Sequence, residues 1–112
     1  MWMATSRPDG RPHLVPIWFV YLNERLYVCI QPTSVKARNL AANPHVALSL
    51  EDGVDPVICE GRAVPLKPPW PVEIPRAFMR KYEWDLSTEE TYTAMFEIQP
   101  LKWLAWIGDE QA

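Results

Sequence analysis

Leu14-Val15-Pro16-Ile17-Trp18-Phe19-Val20-Tyr21, then Leu22-Asn23-Glu24-Arg25, then Leu26-Tyr27-Val28-Cys29-Ile30 is the stretch that decides the fold class. The first run is apolar nearly throughout. With the residue before it, it reads as one strand from His13 to Tyr21, covered on both faces. The tetrad is a turn, and Leu26 to Ile30 is a second strand paired to the first. Pro16 cannot donate to a ladder, so it is expected at a bulge or an open edge.

The same grammar continues in both directions. Upstream, Pro8-Asp9-Gly10 is a tight turn between a strand over Met3 to Ser6 and the strand just described. Downstream, Gln31-Pro32-Thr33-Ser34 stops the sheet, and Thr33 or Ser34 can N-cap a short helix over Val35 to Ala42. Val35, Leu40 and Ala41 form its inner side, and Asn43-Pro44 ends it. His45 to Leu50 alternates as a strand, and Glu51-Asp52-Gly53 turns with a hairpin signal. Pro56 to Val64 is the next strand, with Gly61 a bulge or a place of close approach.

Pro65 to Pro75 is a proline-rich crossover carrying Trp70, which needs somewhere to dock. Pro75 suits the first helical position, with the helix running over Arg76 to Trp84 and Phe78, Met79, Tyr82 and Trp84 on its apolar side. Ser87-Thr88-Glu89-Glu90 reads as a capping box for one further turn. Tyr92 to Ile98 is a strand, Gln99-Pro100-Leu101 a corner, and Lys102 to Ile107 the last strand. The count is about seven short strands and two short helices, expected as one antiparallel barrel or sandwich spanning 1–112. Twelve prolines spread from Pro8 to Pro100 exclude an all-helical bundle.

Charge and composition narrow the function classes. The net charge of −3 gives no basic excess for a nucleic-acid backbone. No apolar run reaches the roughly 18 residues of a membrane span, and Met1 to Arg7 lacks the apolar segment of a signal peptide. Cys29 and Cys59 make neither a CxxC nor a metal spacing. They read as reduced, buried thiols of a cytoplasmic protein, with a Cys29–Cys59 disulfide as the alternative.

The catalytic inventory is thin. His13 and His45 each open a strand after a proline and read as partly exposed strand-end residues. Glu51, Asp52 and Asp55 cluster in a turn, which more often means a solvated loop than a metal site. Four glycines, none close together, exclude the dinucleotide and P-loop fingerprints. One segment differs. At Thr33-Ser34-Val35-Lys36-Ala37-Arg38 a helix start follows directly on a strand. Free N–H groups, hydroxyls and Lys36 converge there, which favours an anion such as a cofactor phosphate. The plain alternative is a capped helix with solvated Lys and Arg.

Arg7-Pro8-Asp9-Gly10-Arg11-Pro12-His13, Ile17-Trp18-Phe19, Ser34-Val35-Lys36-Ala37-Arg38-Asn39-Leu40, Asn43-Pro44-His45-Val46-Ala47-Leu48 and Glu60-Gly61-Arg62-Ala63 follow one another in that order. The ordered set resembles the pyridoxamine 5′-phosphate oxidase-like family of flavin-binding split β-barrels. It covers residues 4 to about 66 well, and Phe96 to Trp103 looks like the family's closing strand pair. The resemblance implies a mainly β fold: a six-stranded antiparallel split β-barrel with short helices, dimeric, with FMN or the deazaflavin F420 in a cleft at the homodimer interface.

By the same resemblance, Ser34 and Lys36 match the family's phosphate-binding serine and lysine at the helix start. Val15, Pro16, Ile17 and Trp18 match the strand that lines the flavin ring, and Cys29 and Ile30 its neighbour. Arg38 matches a common basic position, placed either to reach phosphate or to face solvent. The oxidase proper carries arginines where this chain has Val15 and Val35, and its C-terminal arginine and histidine motif is not visible. The implied activity is therefore a related flavin-dependent hydride transfer to a small substrate. The family also usually has a helix before the first strand, whereas this chain begins almost inside that strand. Trp18, Trp103 and Trp106 are candidates to pack on the ring or across the dimer, against plain core packing. The rival reading is a non-catalytic module that holds flavin, haem or another small ligand.

Overall fold

The computed structural model describes residues 1–107. Its strands are β1 (Trp2–Ser6), β2 (Pro12–Pro16), β3 (Val20–Leu22), β4 (Arg25–Ile30), β5 (His45–Ser49), β6 (Val57–Leu66) and β7 (Ala94–Ala105). Helix α1 (Val35–Ala42) lies between β4 and β5, and α2 (Glu73–Tyr82) between β6 and β7. The seven strands form one antiparallel sheet in the order β2-β1-β5-β6-β7-β4-β3. Among the described residues no helix is long and apolar enough to cross a membrane.

The expected six-stranded barrel is corrected here to a seven-stranded open sheet. The stretch 13–21 is not one strand covered on both faces. It breaks at Ile17-Trp18-Phe19 into β2 and β3, which lie at opposite edges of the sheet. In a flat sheet those edges would stand about 29 Å apart, at about 4.8 Å per strand. A three-residue link spans at most about 15 Å. The sheet therefore curls until its edges come near each other, and it stays open at the link. Proline chemistry explains the break: Pro16 ends β2 at the open edge without a donor, as expected of it. Beyond it, the Ile17 N–H bonds the Met1 carbonyl at 2.8 Å and continues the β1 edge. Leu14 on this edge is 62% exposed.

β4 is the strand covered on both faces. Leu26, Val28 and Ile30 point into the curl with Met3, Val46, Leu48, Cys59 and Ile98. Tyr27 and Cys29 point outward beneath Ile74, Ala77 and Phe78 of α2. Cys29 and Cys59 thus belong to different layers and are both free, so the disulfide alternative is removed. Trp70 docks in the outer layer and donates to the Leu66 carbonyl at 3.2 Å.

Turn chemistry accounts for most connections. Asn23 and Glu24 take φ of 51° and 63° in a two-residue hairpin, the primed turn that matches strand twist. Ser34 caps α1 by accepting from the Ala37 N–H at 3.2 Å. The inner side of α1 is Ala37, Asn39 and Leu40; Val35 is half-buried and Ala41 exposed. Asn39 is tolerated inside because it donates to the Thr5 hydroxyl at 2.9 Å.

Four further expectations are revised. Residues 50–56 form a longer loop between β5 and β6 rather than a two-residue hairpin, with Asp52 accepting from the Val54 and Asp55 N–H groups. Helix α2 starts at Glu73, so Pro75 is its third residue, where its missing N–H still costs no helical bond; Met79 is exposed. Ser87 and Thr88 sit in a 3-10 turn capped by Asp85 instead of opening a capping box. Residues 94–105 are one strand, not two strands around a corner. Pro100 pairs with Gly61 where the register of β6 and β7 shifts, so the strand bends at a bulge and continues. Gly61 is needed there for closeness: a Cβ would stand 2.9 Å from the Gln99 carbonyl oxygen.

Candidate functional site

The link 17–19 does more than separate two strands. The Tyr82 hydroxyl accepts from the Phe19 N–H at 3.0 Å and lies 3.1 Å from the Phe19 carbonyl, to which it donates. Lys81 donates to the same carbonyl at 2.9 Å and sits 3.5 Å above the Phe19 ring. Trp18 lies flat on Tyr82, with ring centroids 4.4 Å apart and planes 1° apart. The Phe19 end of the link is thereby fixed to α2, and the Trp18 ring is held with one face covered and about half its surface exposed.

Beside this link opens a cavity of about 500 Å³, within the usual size of a small-molecule site. Pro16, Ile17 and Trp18 line it from the link, and Cys29 and Ile30 from the end of β4. Lys36 reaches it from the first turn of α1, and Trp84 and Tyr92 from the segment between α2 and β7. Met1 and Glu51 complete the lining, the Glu51 carboxylate lying 2.9 Å from the Met1 amine. The cavity joins a cationic group to apolar and aromatic walls.

Of the residues named from sequence, Pro16, Ile17, Trp18, Cys29, Ile30 and Lys36 come together in this lining. The others lie around it. Val15 is half-buried on β2 and points to the other side of that strand from Pro16. The Ser34 hydroxyl serves the cap, donating to the Gln31 carbonyl at 2.7 Å. Val35 is half-buried at the start of α1, and Arg38 is exposed. Trp103 lines a separate apolar cavity of about 230 Å³ with Phe19, Tyr21 and Leu26, and Trp106 lies half-buried just past β7.

Glu51, the carboxylate of the lining, is taken up by its ion pair with the Met1 amine, and Cys29, His13 and His45 add no acid–base pair to it. Burial, reinforced by Glu89, pushes the Cys29 thiol up to about 12, and its Sγ donates to the Tyr92 carbonyl at 3.1 Å. Cys29 is therefore a packing and hydrogen-bonding group, not a nucleophile. Burial, with Arg7 and Lys36 adding to it, pushes the His13 imidazole below its usual value, and its buried Nδ1 has no hydrogen-bond partner. Neither His13 nor His45 lines the cavity. Among the described residues no group of His, Cys, Asp or Glu is arranged to hold a metal ion.

Sequence reasoning missed Trp84 and Tyr92. They lie more than fifty residues beyond the link, and only the density of aromatic residues around α2 hinted at a wall there. A carboxylate holds them in place. Glu89 Oε1 accepts from the Trp84 indole N–H at 2.7 Å, and Oε2 accepts from the Thr91 and Tyr92 N–H groups at 3.1 Å each.

Comparisons with known proteins agree with this fold. Among solved structures, the heme storage protein HutZ from Vibrio cholerae has a TM-score of 0.79 at 21% identity, over 96% of this chain and 84% of that one. An F420 reductase has a TM-score of 0.68 at 24% identity, over 92% of this chain and 86% of that one. A FAD-binding protein from Mesorhizobium loti has a TM-score of 0.68 at 21% identity, over 91% and 79%. At such identities the likeness is one of fold. No curated protein matches. The decisive match is the family model described as pyridoxamine 5′-phosphate oxidase, which spans residues 1–107 and so takes in the second half of the chain, where the sequence motifs were weakest. With its curled sheet, its helix carrying Lys36 in the first turn and this match over nearly its whole length, the chain belongs to the pyridoxamine 5′-phosphate oxidase family.

Proposed function

We propose that this protein is a flavin-dependent oxidoreductase that holds FMN, or the deazaflavin F420, in the cavity beside the 17–19 link and acts on a small substrate. The observation that carries the reading is the convergence of Lys36 with Pro16, Ile17, Trp18, Cys29 and Ile30 on one cavity of about 500 Å³. Lys36, free of any ion pair among the described residues, suits a phosphate. The apolar and aromatic lining suits a flat ring and excludes water around it. A bound flavin supplies the hydride chemistry, so the lining need not supply a general acid and base of its own. The chain's own residues bind, orient and desolvate.

A second copy of the chain is part of the proposal. Trp2, Leu14 and Leu101 are 41%, 62% and 65% exposed on the outer face of the sheet, where β1, β2, β5 and the β7 bulge meet. An apolar face of this kind favours covering by a partner. Light scattering checks this: a dimer is expected, and a monomer under all conditions overturns the interfacial site.

The test of the cofactor is a pair of titrations, with FMN and with F420. One of the two is expected to quench protein fluorescence at a 1:1 ratio per chain. Lys36→Ala is expected to weaken that ligand about 10- to 100-fold, the size of a lost charge-assisted hydrogen bond. No quenching by either ligand overturns the reading. The second reading is a non-catalytic module that holds haem, supported by the likeness to the heme storage protein. Such a haem would take no imidazole from this cavity, since neither histidine lines it. A haemin titration separates the two.

A further inference from the structure

Residues 83–93 leave α2 and return to β7 as a strap whose only regular element is the 3-10 turn Leu86–Thr88. Few backbone bonds hold it. Two side chains organise it instead: Asp85 caps the 3-10 turn through Ser87, and Glu89 ties the Trp84 indole to the backbone of Thr91 and Tyr92. Both ends of the tie touch the cavity, because Trp84 and Tyr92 both line it. The rings meet each other edge to face at 6.0 Å, and Trp84 meets Trp18 in the same way at 5.7 Å. Cys29 anchors the strap to β4 through the Tyr92 carbonyl. Trp18, with one face taken by Tyr82, presents its remaining surface on the same lining. Three aromatic side chains from two distant segments are thus set at fixed angles around one space, and Lys36 enters that space from a different element.

We propose that Glu89 is a positioning residue that holds Trp84 and Tyr92 as the ring-binding wall of the cavity, so that this wall recognises the flat ring of the ligand while Lys36 recognises its phosphate. This inference rests on the flavin reading above and assigns a division of labour within it. Glutamate suits the task for a specific reason. Both oxygens accept, one from the indole and the other from two backbone amides. A glutamine has only one carbonyl oxygen, so its NH₂ must face a donor on one side. Glu89→Gln is isosteric and yet unties one end of the strap.

The experiment compares FMN with riboflavin, which has the same ring without the phosphate, in wild type, Glu89→Gln, Tyr92→Leu and Lys36→Ala. If F420 is the ligand, F420 is compared with its phosphate-free ring-and-ribityl fragment. Tyr92 is 41% exposed, so its replacement spares the fold even if Glu89→Gln does not. The expected result is a loss of about fivefold or more for both ligands in Glu89→Gln and Tyr92→Leu, by the same factor. Lys36→Ala weakens the phosphorylated ligand and leaves the other unchanged. Wild-type affinity for both ligands in Glu89→Gln and Tyr92→Leu overturns the inference while leaving the flavin reading intact. So does a loss confined to the phosphorylated ligand in those two variants. If wild type binds none of these compounds, the flavin reading itself fails, and this inference with it.

Discussion

The two faces of β4 are packed by different rules. Inward, Leu26, Val28 and Ile30 meet mostly aliphatic residues from four other strands, and the buried polar pair Thr5 and Asn39 satisfies itself across β1 and α1. Outward, Tyr27 and Cys29 meet Phe78, Tyr82, Trp84 and Trp70, and side-chain hydrogen bonds hold the layer: Tyr82 on Phe19, Trp84 on Glu89, Cys29 on Tyr92. The inner layer is built by strand alternation and closes the fold. The outer layer is built by oriented rings and donors and gives the cavity its Cys29 and Trp84 walls, while Met1, Ile17 and Ile30 of the inner layer also line it. Cys29 and Ile30 thus bring both faces of β4 to the cavity, and the outer one alone brings oriented rings.

The largest expected effect breaks the outer layer at its centre. Phe78 is fully buried and touches both Tyr82 and Trp84. Phe78→Ala is expected to cost about 3–5 kcal/mol of stability in chemical denaturation. It also frees the Trp84 ring, so ligand affinity falls at temperatures where the variant is still folded. A variant that loses stability but binds as wild type would separate the outer layer from recognition.

Gly61→Ala acts on the inner layer instead. A Cβ there stands 2.9 Å from both the Gln99 carbonyl and the Ile98 Cγ2, and β7 must move. The expected cost is about 1–3 kcal/mol in the same measurement, with ligand affinity unchanged in the folded protein. Equal effects of the two variants on binding would erase the contrast.

The smallest effect is one of pH. The Trp84 N–H and the Tyr92 and Thr91 amides hold the Glu89 carboxyl below the ordinary glutamate value. A carboxyl whose pKa is depressed by folding contributes stability above its unfolded value and loses it as pH falls through the folded value. Trp emission is therefore expected to stay constant from neutral pH down to the ordinary glutamate range of about 4.3 and to change only below it. In Glu89→Gln that low-pH change is expected to disappear. A transition centred above the ordinary glutamate range would show that the carboxylate does not hold the strap.

Strand and turn grammar was legible wherever the deciding forces are local. The two-residue turn at Asn23-Glu24 and the α1 range with its Ser34 cap follow from neighbours in sequence, and Gly61 announced a bulge or close approach without saying that β7 is what comes close. Misreadings arose where a distant group decides. The run 14–21 looks like one strand because its hydrophobicity never lapses. It breaks at Pro16, which ends β2, and stays broken because Tyr82 and Lys81, more than sixty residues away, hold Phe19 off the sheet. Pro100 looks like a corner because proline ends ladders, yet the register shift opposite Gly61 absorbs it within one strand. Lys36 was visible because a helix start announces itself. Trp84 and Tyr92 were not, because the strap has no periodicity and the tie between those two residues is a single glutamate.

The sequence by itself determined the antiparallel β class, the place of both helices, the lysine at the helix start and the family, since these rest on alternation, caps and ordered motifs that neighbours in the chain define. Only the tertiary structure decided where the sheet opens, which faces of β4 meet which layer, and which aromatic rings share the cavity with Lys36. Those depend on hydrogen bonds and stacking between residues sixty or more positions apart, such as Phe19 with Tyr82 and Cys29 with Tyr92, and no local pattern encodes such a pair.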